Sequence, residues 1–322
     1  MSCLRRFRRR AGRIVRAQSV GPAGARGQRI SRVELSGDFK RYVSSLEPDD
    51  DAVAAAKCAH EKVRDRLKSD EDTKDANKKT FLSGSYARST AIRDINDVDV
   101  ICVLDIDSSI TAPEVVLAWL EGVLGKYYKE TRPQGRSIGA AAERGVWLDI
   151  VPSAPISADD GPLWIPDRDA KQWVRSHPKG QITAAINKND TTDGFYVQTV
   201  KLMKAWRDRL PTEKSKPKSY ILETLVHQSI GKPSSHARAV VNVLEGIQVN
   251  YGFYRGTGSV PHITDPGEAT VNVAKRWSSE EFDAFLDQVK SAAQTARSAL
   301  DSDDEAESRK LWRKLFGATF GQ

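Results

Sequence analysis

The first half of the chain alternates between patterns typical of helices and of strands. Over 49–68, apolar residues recur at helical spacing, and aspartates stand at the start, where the positive end of a helix dipole favours acids. Short apolar runs typical of buried strands follow at 80–82, 98–104 and 146–151. Between the last two lie a helical pattern over 112–128 and a turn with glycine and arginine over 131–139. Strands interleaved with helices predict a mixed α/β lobe.

The second half of the chain has a different pattern. Four prolines between residues 155 and 178 predict a loop-rich connector. After it, apolar residues recur at helical spacing in five segments: 193–209, 219–230, 236–248, 278–300 and 304–316. We therefore predict a core lobe over 33–185 and a helical lobe over 186–322.

The net charge of +7 is concentrated at the N-terminus. Residues 1–32 contain ten arginines and no acid, which leaves 40 basic against 43 acidic residues in the rest of the chain. We predict a disordered basic tail over 1–32, although its composition also suits a nucleic-acid arm, a membrane-surface arm or a transit peptide. The near-neutral body is poorly suited to general binding of long nucleic acid, because phosphate neutralisation dominates that affinity.

Composition excludes several classes of protein. Hydrophobic residues make up 39% and charged residues 29% of the 322 positions, which is typical of a globular protein. No stretch approaches the roughly 20 apolar residues of a membrane span, so we expect no membrane partner. The three cysteines are far apart, which argues against a disulfide framework or a cysteine-rich zinc site and indicates a reducing, cytoplasmic location.

The candidate chemistry begins in the segment 81–105, FLSGSYARSTAIRDINDVDVICVLD. Gly84 and Ser85 follow a short strand and open a helix-like segment over 86–92. Glycine lets the backbone approach a ligand closely, and the N–H groups that begin a helix suit an anion. With the Ser85 hydroxyl as a further donor, this arrangement predicts a site for the phosphates of a nucleoside triphosphate.

Three aspartates complete the constellation. Asp97 and Asp99 share one face of a strand, and they repel each other unless a cation lies between them. Asp149 lies within the apolar strand VWLDIV, where an acid is costly unless it is paired or ligated. If the two strands are neighbours, the three carboxylates can hold two Mg²⁺ ions, or Mn²⁺ in their place, as nucleotidyl transfer requires. Three other nearby acids lack this context and are predicted at the surface: Asp94, Asp105 and Glu143.

The segment GSYARSTAIRDINDVDV resembles the signature of the polymerase-β-like nucleotidyltransferase superfamily. More narrowly, it resembles the bacterial cyclic-oligonucleotide synthases of anti-phage signalling, the CD-NTase or CBASS group, which are relatives of cyclic GMP-AMP synthase and 2′-5′-oligoadenylate synthase. The segments 165–180, 200–206, 216–225 and 263–274 are similar to elements of the same group. The resemblance covers about 35–318 and implies an α+β, bilobal nucleotidyltransferase with a mixed-sheet N-lobe and a helical C-lobe.

The resemblance also implies a role for individual residues. The triphosphate would be bound by Gly84 and Ser85. The catalytic metal ligands would be Asp97, Asp99 and Asp149. The donor phosphates would be reached by Lys204 and Ser219, and Tyr220 would stack on a base. The charge of a lysine suits phosphate, and an aromatic face contributes roughly 1–3 kcal/mol of base stacking. The alternatives are that Lys204 is solvated and that Tyr220 only packs between helices. Arg88 would point either at phosphate or at solvent.

The function implied is the joining of ATP, with GTP or another nucleoside triphosphate, into a cyclic di- or trinucleotide with release of pyrophosphate. The chain departs from the family at Ser89, where glycine is frequent, and it lacks the cysteines of the zinc insertion, so we expect no double-stranded DNA clamp. Two alternatives stay open. One is a single nucleotidyl transfer to an RNA 3′ end, a protein or a small molecule. The other is a catalytically silent nucleotide- or RNA-binding module.

Overall fold

A mixed sheet occupies the first half of the described residues, which are 34–93, 95, 97–157 and 160–322 in this computed structural model. Its strands are β1 (Asn77–Leu82), β2 (Asp97–Leu104), β3 (Thr131–Pro133), β4 (Ile138–Ala141), β5 (Trp147–Pro155), β6 (Leu163–Asp167) and β7 (Gln172–Ser176). They run in the order β1-β2-β5-β4-β3, and β6 pairs with both β5 and β7. The pairing of β2 with β5 is parallel, whereas the neighbouring pairs are antiparallel.

Helices supply the remaining structure of the described residues. They are α1 (Ser36–Leu46), α2 (Asp50–Ser69), α3 (Gly84–Ala87), α4 (Pro113–Gly125), α5 (Pro178–Thr191), α6 (Phe195–Asp208), α7 (Ser219–Ser229), α8 (His236–Tyr251), α9 (Ser279–Asp301) and α10 (Glu305–Phe316). A small hairpin, β8 (Thr264–Asp265) and β9 (Glu268–Asn272), lies between α8 and α9. Among the described residues, every helix is too short or too polar to cross a lipid bilayer.

Two large apolar cores organise these elements, beside a small cluster of sheet residues that includes Ile101 and Leu163. In one, α2 and α4 pack on a single face of the sheet through side chains such as Val63 and Leu120. In the other large core, α1 packs together with the five helices from α6 through α10. Phe39 lies edge-on against Trp312, and the Tyr42 hydroxyl donates to the Phe316 carbonyl oxygen at 2.9 Å. Because α1 shares its core with the later helices, the described part of the chain passes first through this core and then enters the sheet.

The predicted fold class, a mixed sheet combined with many helices, is confirmed. The helix predicted over 49–68 begins after Asp49, whose side chain accepts a hydrogen bond from the Ala52 N–H. The strands predicted over 98–104 and 146–151 correspond to β2 and β5, and each of the five predicted C-terminal helices is present. The basic tail predicted over 1–32 lies outside the described residues.

Three local predictions were wrong. The connector after residue 155 is not loop-rich, because it contains the β6–β7 hairpin. Pro178 is the first residue of α5, where the backbone N–H that proline lacks would have no partner within the helix. The turn predicted over 131–139 contains β3 and begins β4. The helix-like segment over 86–92 ends early, since α3 stops at Ala87 and Ser89 has a φ of +58°.

The predicted lobe boundary, between residues 185 and 186, falls within α5. The chain therefore changes from strands to helices at the start of this helix, near residue 178.

Candidate active site

Strand β2 presents two of the predicted acids because its other face is buried. That face packs against α2 and α4 through four side chains with no exposed surface: Val98, Val100, Cys102 and Leu104. Asp97 and Asp99 alternate with these residues and therefore lie on the opposite face, as predicted. Asp97 is exposed, and Asp99 is half-buried.

Strand β5 brings the third acid beside the first two. In the parallel register of β2 and β5, Asp149 is the direct partner of Asp99. Paired residues of neighbouring strands point to the same face of a sheet, so Asp97, Asp99 and Asp149 share one face. Asp149 is 9% exposed. The structure thus brings the three predicted acids together on adjacent strands.

Burial and mutual repulsion raise the proton affinity of two of these acids. Burial, followed by the charges of Asp97 and Asp149, raises the pKa of Asp99 from 3.8 to about 7. Burial and the charge of Asp97 also raise the pKa of Asp149, against a hydrogen bond from Gln134 that lowers it. A cation beside these carboxylates would relieve the repulsion and favour their ionised forms.

We expect Asp99→Asn, without divalent cations, to be more stable than wild type at pH 8 and about equally stable at pH 4. The pKa of Asp99 is 3.8 in the unfolded chain and about 7 in the folded protein. The free energy of unfolding of the wild type therefore falls as the pH rises between these two values. At pH 8 the cost is roughly 2–4 kcal/mol, which asparagine avoids. Urea unfolding in EDTA measures it, and a stability difference that is the same at both pH values would contradict this explanation.

Gly84 packs directly against Asp99, where a larger side chain would clash. A Cβ atom at position 84 would lie 1.7 Å from Asp99 Oδ2, and the φ of Gly84 is +68°, in the region that favours glycine. The Ser83 N–H donates to the Asp99 carbonyl oxygen at 2.9 Å, which ties the start of α3 to β2. Ser85 follows in α3 and is half-buried. The predicted phosphate segment therefore starts directly against the acids, at a position where only glycine fits.

One polar residue at the site is not indicated by any pattern in the sequence. Gln134, in the turn between β3 and β4, donates its Nε2 to Asp149 Oδ1 at 2.6 Å. No periodic pattern marks this residue, and its contact with Asp149 depends on the pairing of β4 with β5. The only available signal was a polar side chain in a turn next to the acidic strand.

Lys204, predicted near phosphate, and Arg88, predicted at phosphate or at solvent, meet at a buried carboxylate. Arg88 Nε donates to Glu223 Oε2 at 2.8 Å, and Lys204 Nζ lies 2.7 Å from Glu223 Oε1. The Thr90 hydroxyl donates to Glu223 Oε1 at 3.0 Å, and Lys204 donates to the Thr90 carbonyl oxygen at 2.9 Å. Burial alone would raise the pKa of Glu223, but the two cations lower it to about 2. Neither cation is solvated, since both side chains are buried.

Tyr220 and Ser219, at the start of α7, also have partners within the protein. The Tyr220 hydroxyl donates to Asp265 Oδ1 at 2.7 Å, and the Arg88 guanidinium lies 4.8 Å from the centre of its ring. Ser219 is exposed, and its hydroxyl accepts from Arg207 at 2.6 Å. Because Arg88 covers one face of the Tyr220 ring, a base can stack only on the other face.

Of the three acids predicted at the surface, the two that the structure describes are exposed. Glu143 is exposed and pairs with Lys62 at 2.8 Å, and Asp105 is exposed and pairs with Lys78 at 2.8 Å. Asp94 lies outside the described residues.

Comparison with known proteins identifies the family. Residues 33–189 match the model of the Second Messenger Oligonucleotide or Dinucleotide Synthetase domain. The chain is 32% identical to a cyclic AMP-AMP-AMP synthase of Acinetobacter sp., over 88% of this chain and 84% of that protein. It is 31% identical to a probable cyclic AMP-AMP-GMP nucleotide synthase of Salmonella paratyphi B, over 89% of this chain and 92% of that protein. The chain belongs to the bacterial CD-NTase family. CD-NTases are nucleotidyltransferases that synthesise cyclic oligonucleotides, so the resemblance in the sequence is confirmed.

Solved CD-NTase structures share the fold. Escherichia coli MS115-1 CdnC with ATP has a TM-score of 0.72 and 17% identity, covering 89% of this chain and 99% of that one. Bradyrhizobium diazoefficiens CdnG in complex with GTP has a TM-score of 0.72 and 14% identity, covering 87% of this chain and 94% of that one. At such identities the similarity supports the polymerase-β-like fold and no finer property.

The donor chemistry of the three acids in this CD-NTase fits divalent cations. Carboxylate oxygens are the ligands that Mg²⁺ and Mn²⁺ prefer, and the pKa values of Asp99 and Asp149 are raised first by burial and then by neighbouring negative charge. Across the described ranges, no three His, Cys, Asp or Glu side chains have closed around a position that would hold a metal ion.

Proposed function

We propose that this CD-NTase joins ATP, with GTP or another nucleoside triphosphate at one position, into a cyclic trinucleotide and releases pyrophosphate. The relatives described above are named as synthases of cyclic AMP-AMP-AMP and cyclic AMP-AMP-GMP, and both products contain two adenylates or more. The observation that carries the catalytic proposal is the direct pairing of Asp99 with Asp149 across β2 and β5. As in the bacterial group that the sequence resembles, the product would act as a second messenger in anti-phage defence.

In this proposal, Asp97, Asp99 and Asp149 hold two Mg²⁺ ions, with Mn²⁺ as a substitute. The chemistry supplied by bound cations is a lowered pKa of the attacking 2′- or 3′-hydroxyl and an offset of the charge on the leaving pyrophosphate. The sheet supplies rigidity, because β2 and β5 are central strands whose other faces are buried in the core with α2 and α4. Asp149, in the ionised form that bound cations favour, would accept the hydroxyl proton.

The triphosphate would lie against the start of α3. The backbone at Gly84 offers close approach, and the Ser85 hydroxyl would donate to phosphate oxygens. Arg88 and Lys204 place two positive charges around the one negative charge of Glu223, so the cluster keeps an excess positive charge that attracts phosphate. Ser219 would donate to the same phosphates, and the free face of the Tyr220 ring would stack on a base.

Mass spectrometry of the product tests this proposal. We expect purified protein incubated with Mg²⁺, ATP and GTP to release pyrophosphate and to form a cyclic trinucleotide that resists phosphatase. No added acceptor should be needed, because nucleotides are both donor and acceptor. Incubation with ATP alone shows whether the third position requires a different base.

The same measurement separates the alternatives. A phosphatase-sensitive linear product, or a nucleotide attached to RNA, protein or a small molecule, would favour single nucleotidyl transfer. Nucleotide binding without pyrophosphate release would favour a silent binding module. A cyclic dinucleotide would keep the catalytic site but contradict the proposed ring size.

A further inference from the structure

We propose that Gln134 is a positioning residue that fixes the orientation of the Asp149 carboxylate for cation binding. This inference rests on the proposed function, because it assigns Gln134 a task at the same site. Gln134 Nε2 donates to Asp149 Oδ1 at 2.6 Å, which is a short, charge-assisted hydrogen bond.

The need for such a donor follows from the flexibility of an aspartate side chain. Rotation about the bond between Cβ and Cγ is broad and roughly two-fold, so packing of the Cβ atom alone leaves the plane of the carboxylate poorly determined. A donor fixed on Oδ1 sets that plane and leaves Oδ2 available. Side chains that hydrogen-bond to metal ligands commonly orient them in this way.

The structure has made room for this contact. Gly139, on β4, is the direct partner of Asp149 on β5. A Cβ atom at position 139 would lie 3.1 Å from Gln134 Nε2 and 3.4 Å from Asp149 Oδ1. The absence of a side chain there leaves space for the amide of Gln134 to reach the carboxylate.

The turn that carries Gln134 is itself held in place. The Gln134 N–H donates to the Ser137 carbonyl oxygen at 2.9 Å, and the Arg168 N–H donates to the Gly135 carbonyl oxygen at 2.8 Å. These bonds determine where the amide of the side chain starts and tie the turn to the β6–β7 hairpin.

A buried aspartate extends this support to the helical half. Asp167, at the end of β6, is 1% exposed. It accepts a hydrogen bond at 3.0 Å from Nε of Arg136, which lies in the same turn as Gln134. It also pairs with Arg276, which lies between β9 and α9. The orientation of Asp149 is therefore linked through Gln134 and Asp167 to the segment that precedes α9.

The test compares Gln134→Ala with Gln172→Ala, a control that removes an exposed glutamine from strand β7. Calorimetry with Mn²⁺ on the nucleotide-free protein gives a dissociation constant, and steady-state kinetics give kcat and KM for ATP. For Gln134→Ala we expect Mn²⁺ affinity and kcat each to fall about 10- to 100-fold, with KM for ATP within about twofold. Gln172→Ala should match the wild type. Gln134→Asn, which keeps the amide but shortens its reach, should recover part of the Mn²⁺ affinity.

Three outcomes overturn the inference. Wild-type Mn²⁺ affinity and kcat in Gln134→Ala would reject the positioning role while leaving the proposed function intact. A lower unfolding temperature with unchanged Mn²⁺ affinity would show that Gln134 only supports the fold. Failure of the wild type to bind Mn²⁺ or to release pyrophosphate would reject the proposed function together with this inference.

Discussion

Replacing both Asp97 and Asp99 with alanine is expected to reduce pyrophosphate release at least about a thousandfold, because the cations that they would hold contribute several kcal/mol to the transition state. The overall fold should survive, since these side chains lie on the face of β2 that points away from the core with α2 and α4. Release of pyrophosphate from ATP and GTP with Mg²⁺ measures the effect.

The matched control is Asp105→Ala. Asp105 directly follows β2, but its side chain is 67% exposed and pairs with Lys78 at the surface. We expect this variant to retain wild-type activity. Equal pyrophosphate release by the wild type and the Asp97→Ala, Asp99→Ala double variant would reject catalysis at these acids.

The second large effect is expected at Glu223. Glu223→Ala should lower the free energy of unfolding by about 3–5 kcal/mol, because it leaves two buried cations, Arg88 and Lys204, facing each other without their shared carboxylate. The loss of the acceptor for the Thr90 hydroxyl adds to this cost. Urea unfolding measures the change.

Two further variants make the Glu223 experiment specific. Glu213→Ala removes a glutamate that is 89% exposed and paired with Lys216, and it should change stability by less than about 0.5 kcal/mol. Adding Lys204→Met to Glu223→Ala removes one of the unpaired cations and should restore part of the lost stability. A loss for Glu223→Ala no greater than for Glu213→Ala would contradict the coupled cluster.

The sequence predicted the parts of the site that depend on local pattern. Val98, Val100, Cys102 and Leu104 alternate with Asp97 and Asp99, so burial of one face determines where the acids point. Asp149 was identifiable because an acid within a long apolar strand needs a partner. The C-terminal helices were predicted because each contains several turns of apolar repeat.

The rest of the site depends on contacts between distant segments. Strands β3 and β4 have three and four residues, which is too few for a period of two to be recognised, so the sequence does not indicate that the turn between them brings Gln134 to Asp149. Arg88 and Glu223 are 135 positions apart, and no pattern in either segment indicates that they pair. The roles of Gly84, Ser85, Arg88, Lys204, Ser219 and Tyr220 toward nucleotide stay predictions.

A crystal structure of the protein with Mn²⁺ and a non-hydrolysable ATP analogue, with Mn²⁺ located by its anomalous scattering, tests the central claim most directly. We expect Mn²⁺ to be ligated by carboxylate oxygens from both β2 and β5 and by the phosphates of the analogue. Mn²⁺ and analogue bound away from Asp97, Asp99 and Asp149, in crystals of protein that is active in solution, would contradict the account.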